Sequence, residues 1–91
     1  MRLLRKNDYQ SADELLAAVK RHLRRMSEFS MWTTGTTDDP GVRYDELDAP
    51  AFWCHWEAAS SEVAESVKGI LIQYGMRLDP RDKPGRVLYV F

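Results

Sequence analysis

Apolar residues recur three and four positions apart at Leu15, Leu16, Val19, Leu23 and Met26, which predicts an amphipathic helix from Ser11 to about Met26. Its start reads Ser11-Ala12-Asp13-Glu14, a capping box in which the serine hydroxyl accepts a first-turn amide proton. From Phe29 to Thr36 the pattern changes to aromatic, methionine and β-branched residues, favouring a strand. Asp38-Asp39-Pro40-Gly41 then supplies turn chemistry, and Pro40 can open a short helix carrying Arg43, Tyr44 and Leu47 before Pro50 ends it. Phe52, Cys54 and Trp56 alternate with Trp53, His55 and Glu57, a period of two that predicts a second strand. Ser60 or Ser61 caps a further helix with an apolar stripe through Val63, Val67, Ile70, Leu71 and Tyr74, and Gly75 is placed to stop it. Gly69 inside it suggests close packing against a sheet. After two Pro-containing turns, Arg86 to Phe91 reads as a last strand, and Met1 to Arg5 could add a short edge strand. These elements predict an α+β fold: a small antiparallel sheet of about three strands packed by two main helices and one short helix.

At 91 residues the chain is expected to form one domain, 1–91, around one core. One cysteine excludes an internal disulfide framework, and charges at Arg2, Arg5, Lys6 and Asp8 break any signal-like apolar run. No apolar stretch approaches the roughly 20 residues of a membrane-spanning helix, so a cytoplasmic, membrane-free protein is expected. The net charge of −1 conceals segregation. Residues 1–26 hold seven basic groups against three acids, whereas residues 27–67 hold Arg43 alone against nine. Such blocks steer charged partners if folding keeps them apart.

Trp32 to Arg43, with an apolar strand running into Gly35, a Thr/Asp turn containing Thr37, and an Arg one turn later, resembles the active-site segment of GIY-YIG nucleases. The resemblance extends over Phe29 to Met76. It implies that Arg43 would stabilise charge on a cleaved phosphate, a role suited to a planar, always protonated group. The family also needs a tyrosine from a first signature strand, and a Glu on a later helix holding a divalent metal. The chain departs at both places: Trp32 stands near the second strand's tyrosine, and Lys68 falls where the Glu would sit. A nuclease would then need Glu65 or Glu57 to hold Mg²⁺. Arg43 has a simpler use as a surface partner of Asp39 or Glu46.

Three functions are compatible with these residues. The preferred one is a non-catalytic module acting by protein contact through its tryptophans, Trp32, Trp53 and Trp56, or through its acidic loops. Its small size and acidic middle segment suit a phage or mobile-element inhibitor of a nucleic-acid enzyme such as a CRISPR effector. It would need no cofactor. The second is a divergent metal-dependent nuclease using Arg43. The third is a nucleic-acid-binding domain using Lys20, Arg21, Arg24 and Arg25, although the same cluster also complements the helix dipole. Cys54 and His55 are adjacent on a strand and point to opposite faces, so they form no nucleophile and base pair, and His22 is remote in sequence from any other metal-ligand type.

Overall fold

In a computed structural model, which describes residues 11–23 and 29–91, the chain is an α+β globule. Helix α1 spans Ala12–Leu23, α2 Pro40–Glu46 and α3 Ser61–Gln73; strands are β1 Thr33–Thr37, β2 Cys54–Glu57, β3 Arg77–Leu78 and β4 Val87–Val90. The sheet order is β2-β4-β1-β3. β4 pairs antiparallel with both β1 and β2, while β1 and β3 run parallel. The sheet is therefore four-stranded and mixed, which corrects the expectation of three antiparallel strands. Arg77–Leu78 carries no alternation to announce it, being two exposed residues recruited by the exposed edge of β1. The predicted edge strand Met1 to Arg5 lies outside the described residues.

Local signals act where they were expected. Ser11 Oγ accepts the Glu14 amide at 3.2 Å, Asp39 Oδ1 accepts Val42 N at 3.1 Å to cap α2, and Ser60 Oγ accepts Val63 N at 3.2 Å to cap α3. At the end of α3, Gly75 takes φ +117°. Its amide bonds Ile72 O at 2.9 Å and the Met76 amide bonds Leu71 O at 3.1 Å, the paired closure of a Schellman motif, with Met76 turned into the core. Gly69 departs from expectation: it is exposed, and a Cβ there would meet nothing within 4 Å. Phe29–Met31 forms a 3₁₀ turn rather than the start of a strand, and the second strand begins at Cys54 rather than Phe52.

β4 is buried on both faces because it is central and covered from each side. Leu88 and Val90 join Leu15, Val19 and Leu23 of α1 and Ala64, Val67 and Leu71 of α3 in the main core, together with Trp32 and Trp56. The alternate residues Val87, Tyr89 and Phe91 face the opposite side, where α2 and the chain through Trp53 lie over them. That second layer holds the candidate site.

Candidate functional site

The register sets Gly35 directly opposite Tyr89. The Tyr89 ring crosses the glycine so closely that a Cβ at position 35 would fall 2.7 Å from Cζ. Gly35 thus has a packing reason to be glycine. The Tyr89 hydroxyl accepts a hydrogen bond from Arg43 Nη1 at 2.6 Å and donates to Asp79 Oδ2. Arg43 Nε donates to Glu46 Oε1 at 2.8 Å, and Nη1 lies 3.9 Å from Asp79 Oδ2. Arg43 is 3% exposed, which corrects its expected place on the surface: it pairs with Glu46, as one reading held, but from inside the second layer. Burial opposes its charge, yet the Glu46 and Tyr89 contacts outweigh that and raise its pKa. Burial and the hydrogen bond to Asp79 push Tyr89 well above the ordinary phenol range. Tyr89 reaches Arg43 from β4, 46 residues downstream in the chain.

A second cluster joins α3 to β1. Lys68 Nζ donates to Asp82 Oδ2 at 2.8 Å and to Glu65 Oε2 at 2.7 Å. Asp82 Oδ1 accepts both the Thr36 amide at 2.7 Å and the Thr36 hydroxyl at 3.0 Å. Burial raises the Asp82 pKa, but Lys68 and the Thr36 donors reverse the shift and lower it. Lys68 is raised: burial works against its charge, and Asp82 and then Glu65 overcome it. The position where the nuclease resemblance needs a metal-binding carboxylate therefore holds an ammonium group already seated between two carboxylates. These residues do not fit a divalent cation, whose charge Lys68 would oppose. Among the described residues, no three His, Cys, Asp or Glu side chains converge as a metal site. Glu57 lies apart on β2, opposite Val87.

Above Tyr89 the surface opens. Trp53 stacks on Tyr89 with centroids 5.1 Å apart and planes 18° apart, and Tyr44 meets Trp53 edge-on at 5.3 Å. Trp53 Nε1 donates to His55 Nδ1 at 3.1 Å. Tyr44, Trp53 and His55, with Pro40, Gly41, Pro50 and Ala51, line a groove of about 300 Å³. Phe52 beside it in the chain is 76% exposed.

Of the tryptophans read as contact residues, Trp53 alone lines this groove; Trp32 and Trp56 are buried in the main core. Trp32 Nε1 is buried with no hydrogen-bond partner among the described residues. Lys20 and Arg21 are exposed on α1, with Lys20 Nζ 5.4 Å from the Tyr74 ring centroid, and Arg24 and Arg25 lie outside the described residues. Cys54 and His55 do face opposite ways, but His22 is not isolated: its Nε2 lies 2.8 Å from Cys54 Sγ, and its ring packs edge-on to Trp56. Burial raises the Cys54 thiol pKa. A separation of 32 residues hid this contact from sequence spacing. No helix among the described residues is long and apolar enough to cross a membrane. Comparisons with protein-family models, with curated proteins and with solved structures find no match to this chain.

Proposed function

We propose that the chain is a non-catalytic protein-interaction module on a scaffold resembling that of GIY-YIG nucleases, with the residues of the former active site turned to structural use. The observation carrying this reading is the Lys68 ammonium between Glu65 and Asp82, where the resemblance calls for a metal-binding carboxylate. Arg43 supports it from the other side of the sheet. The Arg43 guanidinium, 3% exposed and already engaged by Glu46 and Tyr89, offers little free donor capacity to a phosphate, although Arg43 lines a small acidic-rimmed pocket with Lys83. Contact is assigned to the groove of Tyr44, Trp53 and His55 with the neighbouring Phe52, because a partly exposed aromatic cluster is the surface chemistry of protein recognition. An inhibitor of a nucleic-acid enzyme, such as a CRISPR effector, is the form of this role that suits the chain's size and its acidic segment 38–48.

The test pairs two assays. Plasmid, single-stranded DNA and RNA are incubated with the protein in Mg²⁺ and in Mn²⁺, beside Arg43→Ala and a metal-free control, and no specific cutting is expected. Partner capture from lysate and light scattering run in parallel. Cleavage that needs both metal and Arg43 would falsify the non-catalytic reading, and the absence of both a partner and self-association would remove the interaction reading.

A further inference from the structure

We infer that the β3 edge of the sheet, opposite the β2 edge that carries the groove, is a second contact surface, and that it receives a short protein segment in which carboxylates alternate with large apolar side chains. Five large apolar side chains are exposed among the described residues, and three of them, Met31, Tyr74 and Leu78, meet at this edge. Arg77 N donates to Trp32 O at 3.0 Å, which sets β3 beside the 3₁₀ turn Phe29–Met31, and Leu78 pairs with Thr34. Tyr74 caps the end of α3 just before β3, and its ring centroid lies 5.2 Å from that of Phe29. Met31 is 74% exposed, Leu78 48% and Tyr74 44%, whereas Phe29 beside them packs against the core. Apolar side chains gathered at the surface in this way mark a place of contact.

Cations border this edge, and the acids of the same segment are turned away from it. Lys20 Nζ stands 5.4 Å from the Tyr74 ring centroid. Backbone amides of Arg77, Asp79 and Lys83 donate to Trp32, Thr34 and Thr36, so the chain from 77 to 83 follows the outer side of β1 and carries Arg77, Arg81 and Lys83 along one rim. Between them, Asp79 is buried and accepts the Tyr89 hydroxyl, and Asp82 is taken up by Lys68 and Thr36. Lys83 shares a pocket with Asp38, Asp39 and Glu46, which offsets its charge. Lys20, Arg77 and Arg81 are exposed and form no salt bridge among the described residues.

Protection of a sheet edge accounts for Arg77, Pro80 and Arg81, because charges and proline discourage edge-to-edge pairing. It does not account for Met31 and Leu78, which make the same edge more adhesive. A polyphosphate chain would engage the cations and leave both of these side chains in water. An anionic bilayer is held by clusters of about four to eight cations, more than the three that stand unpaired here. A protein segment bearing both carboxylates and apolar side chains covers the apolar patch and meets the cations at once.

The experiment follows the Gly75 and Leu78 amide resonances of ¹⁵N-labelled full chain. The probe is a capped octapeptide alternating glutamate and leucine, run beside versions with glutamine for glutamate and serine for leucine, a single-stranded DNA 12-mer, and phosphatidylserine vesicles. A saturable shift at both amides is expected with the glutamate–leucine peptide, and each altered peptide is expected to bind about tenfold more weakly or worse. Arg77→Ala with Arg81→Ala should weaken the peptide about fivefold or more, and Leu78→Ser about threefold or more, with the rest of the spectrum in place because all three side chains are exposed. Equal binding of the glutamine peptide, tighter binding of DNA or vesicles than of the peptide, no saturable shift, or the same shifts on raising the protein concentration alone each overturn the assignment. Shifts confined to the Trp53 indole put the peptide in the groove, which overturns this surface and leaves the interaction reading standing. Partner capture and light scattering test that reading separately, and their failure leaves a saturable shift at Gly75 and Leu78, and with it this surface, intact.

Discussion

Replacing Lys68 with methionine tests how much the ammonium bridging α3 to Asp82 contributes to the fold. The side chain keeps its length and apolar stem but loses the ammonium that bridges Asp82 and Glu65. Removing one partner of a fully buried pair costs about 3–5 kcal/mol. Two features reduce that here. The Glu65 side chain is 55% exposed and returns to water, and Asp82 keeps both Thr36 donors. A loss of about 2 kcal/mol is therefore expected, roughly a 10 °C fall in Tm for a domain of this size. Its pH dependence has a defined sign. Asp82 titrates lower in the folded chain than in the unfolded one, so its contribution is present above about pH 4 and fades as pH falls through its folded pKa. Lys68 titrates higher when folded, so its contribution is present below about pH 10 and fades as pH rises through its folded value. Urea unfolding of wild type and Lys68→Met across this range should give a stability gap that is widest near neutrality and closes at both ends. A cycle with Asp82→Asn should give a coupling of about 1 kcal/mol or more. A gap below about 0.5 kcal/mol at pH 7, or additive single changes, would refute the bridging role assigned to Lys68.

Gly35→Ala should cost about 2–3 kcal/mol by driving Tyr89 from its place, and its partial recovery in Gly35→Ala with Tyr89→Leu, read by thermal unfolding, checks that the clash is with the ring. Tyr89→Phe should cost about 1–3 kcal/mol, because Arg43 and Asp79 lose the hydroxyl between them, and denaturant titration measures it. Gly69→Ala should stabilise the chain by about 0.5–1 kcal/mol, since the position is helical, exposed and free of any steric neighbour; a lower Tm would mean that Gly69 meets something in solution.

The motif around Gly35 and Arg43 was legible as a pattern but not as a purpose. Sequence could pair Arg43 with Glu46, because three residues on a helix bring side chains together. It could not place the guanidinium under Tyr89, since that contact depends on β4 inserting between β1 and β2 in a particular register. Asp82, the partner of Lys68, is not legible from spacing, because it lies 14 residues away in a loop with no periodicity. Alternation puts Trp53 and Trp56 on opposite faces without saying which is core, and only the packing of α1 and α3 on one face makes Trp56 core and leaves Trp53 at a groove.

What the sequence determined by itself are the features written in neighbouring residues: the serine and aspartate caps, the apolar stripes of α1 and α3, the glycine stop at Gly75, and the final strand. These depend on hydrogen bonds and side-chain spacings within a turn or two, so local pattern suffices to specify them. The tertiary structure alone decided the parallel pairing of Arg77–Leu78 with β1, the meeting of His22 with Cys54, and the enclosure of Arg43 and Lys68 by acids from distant loops. Each of these is set by strand order and register, which is a choice the whole core makes when it closes.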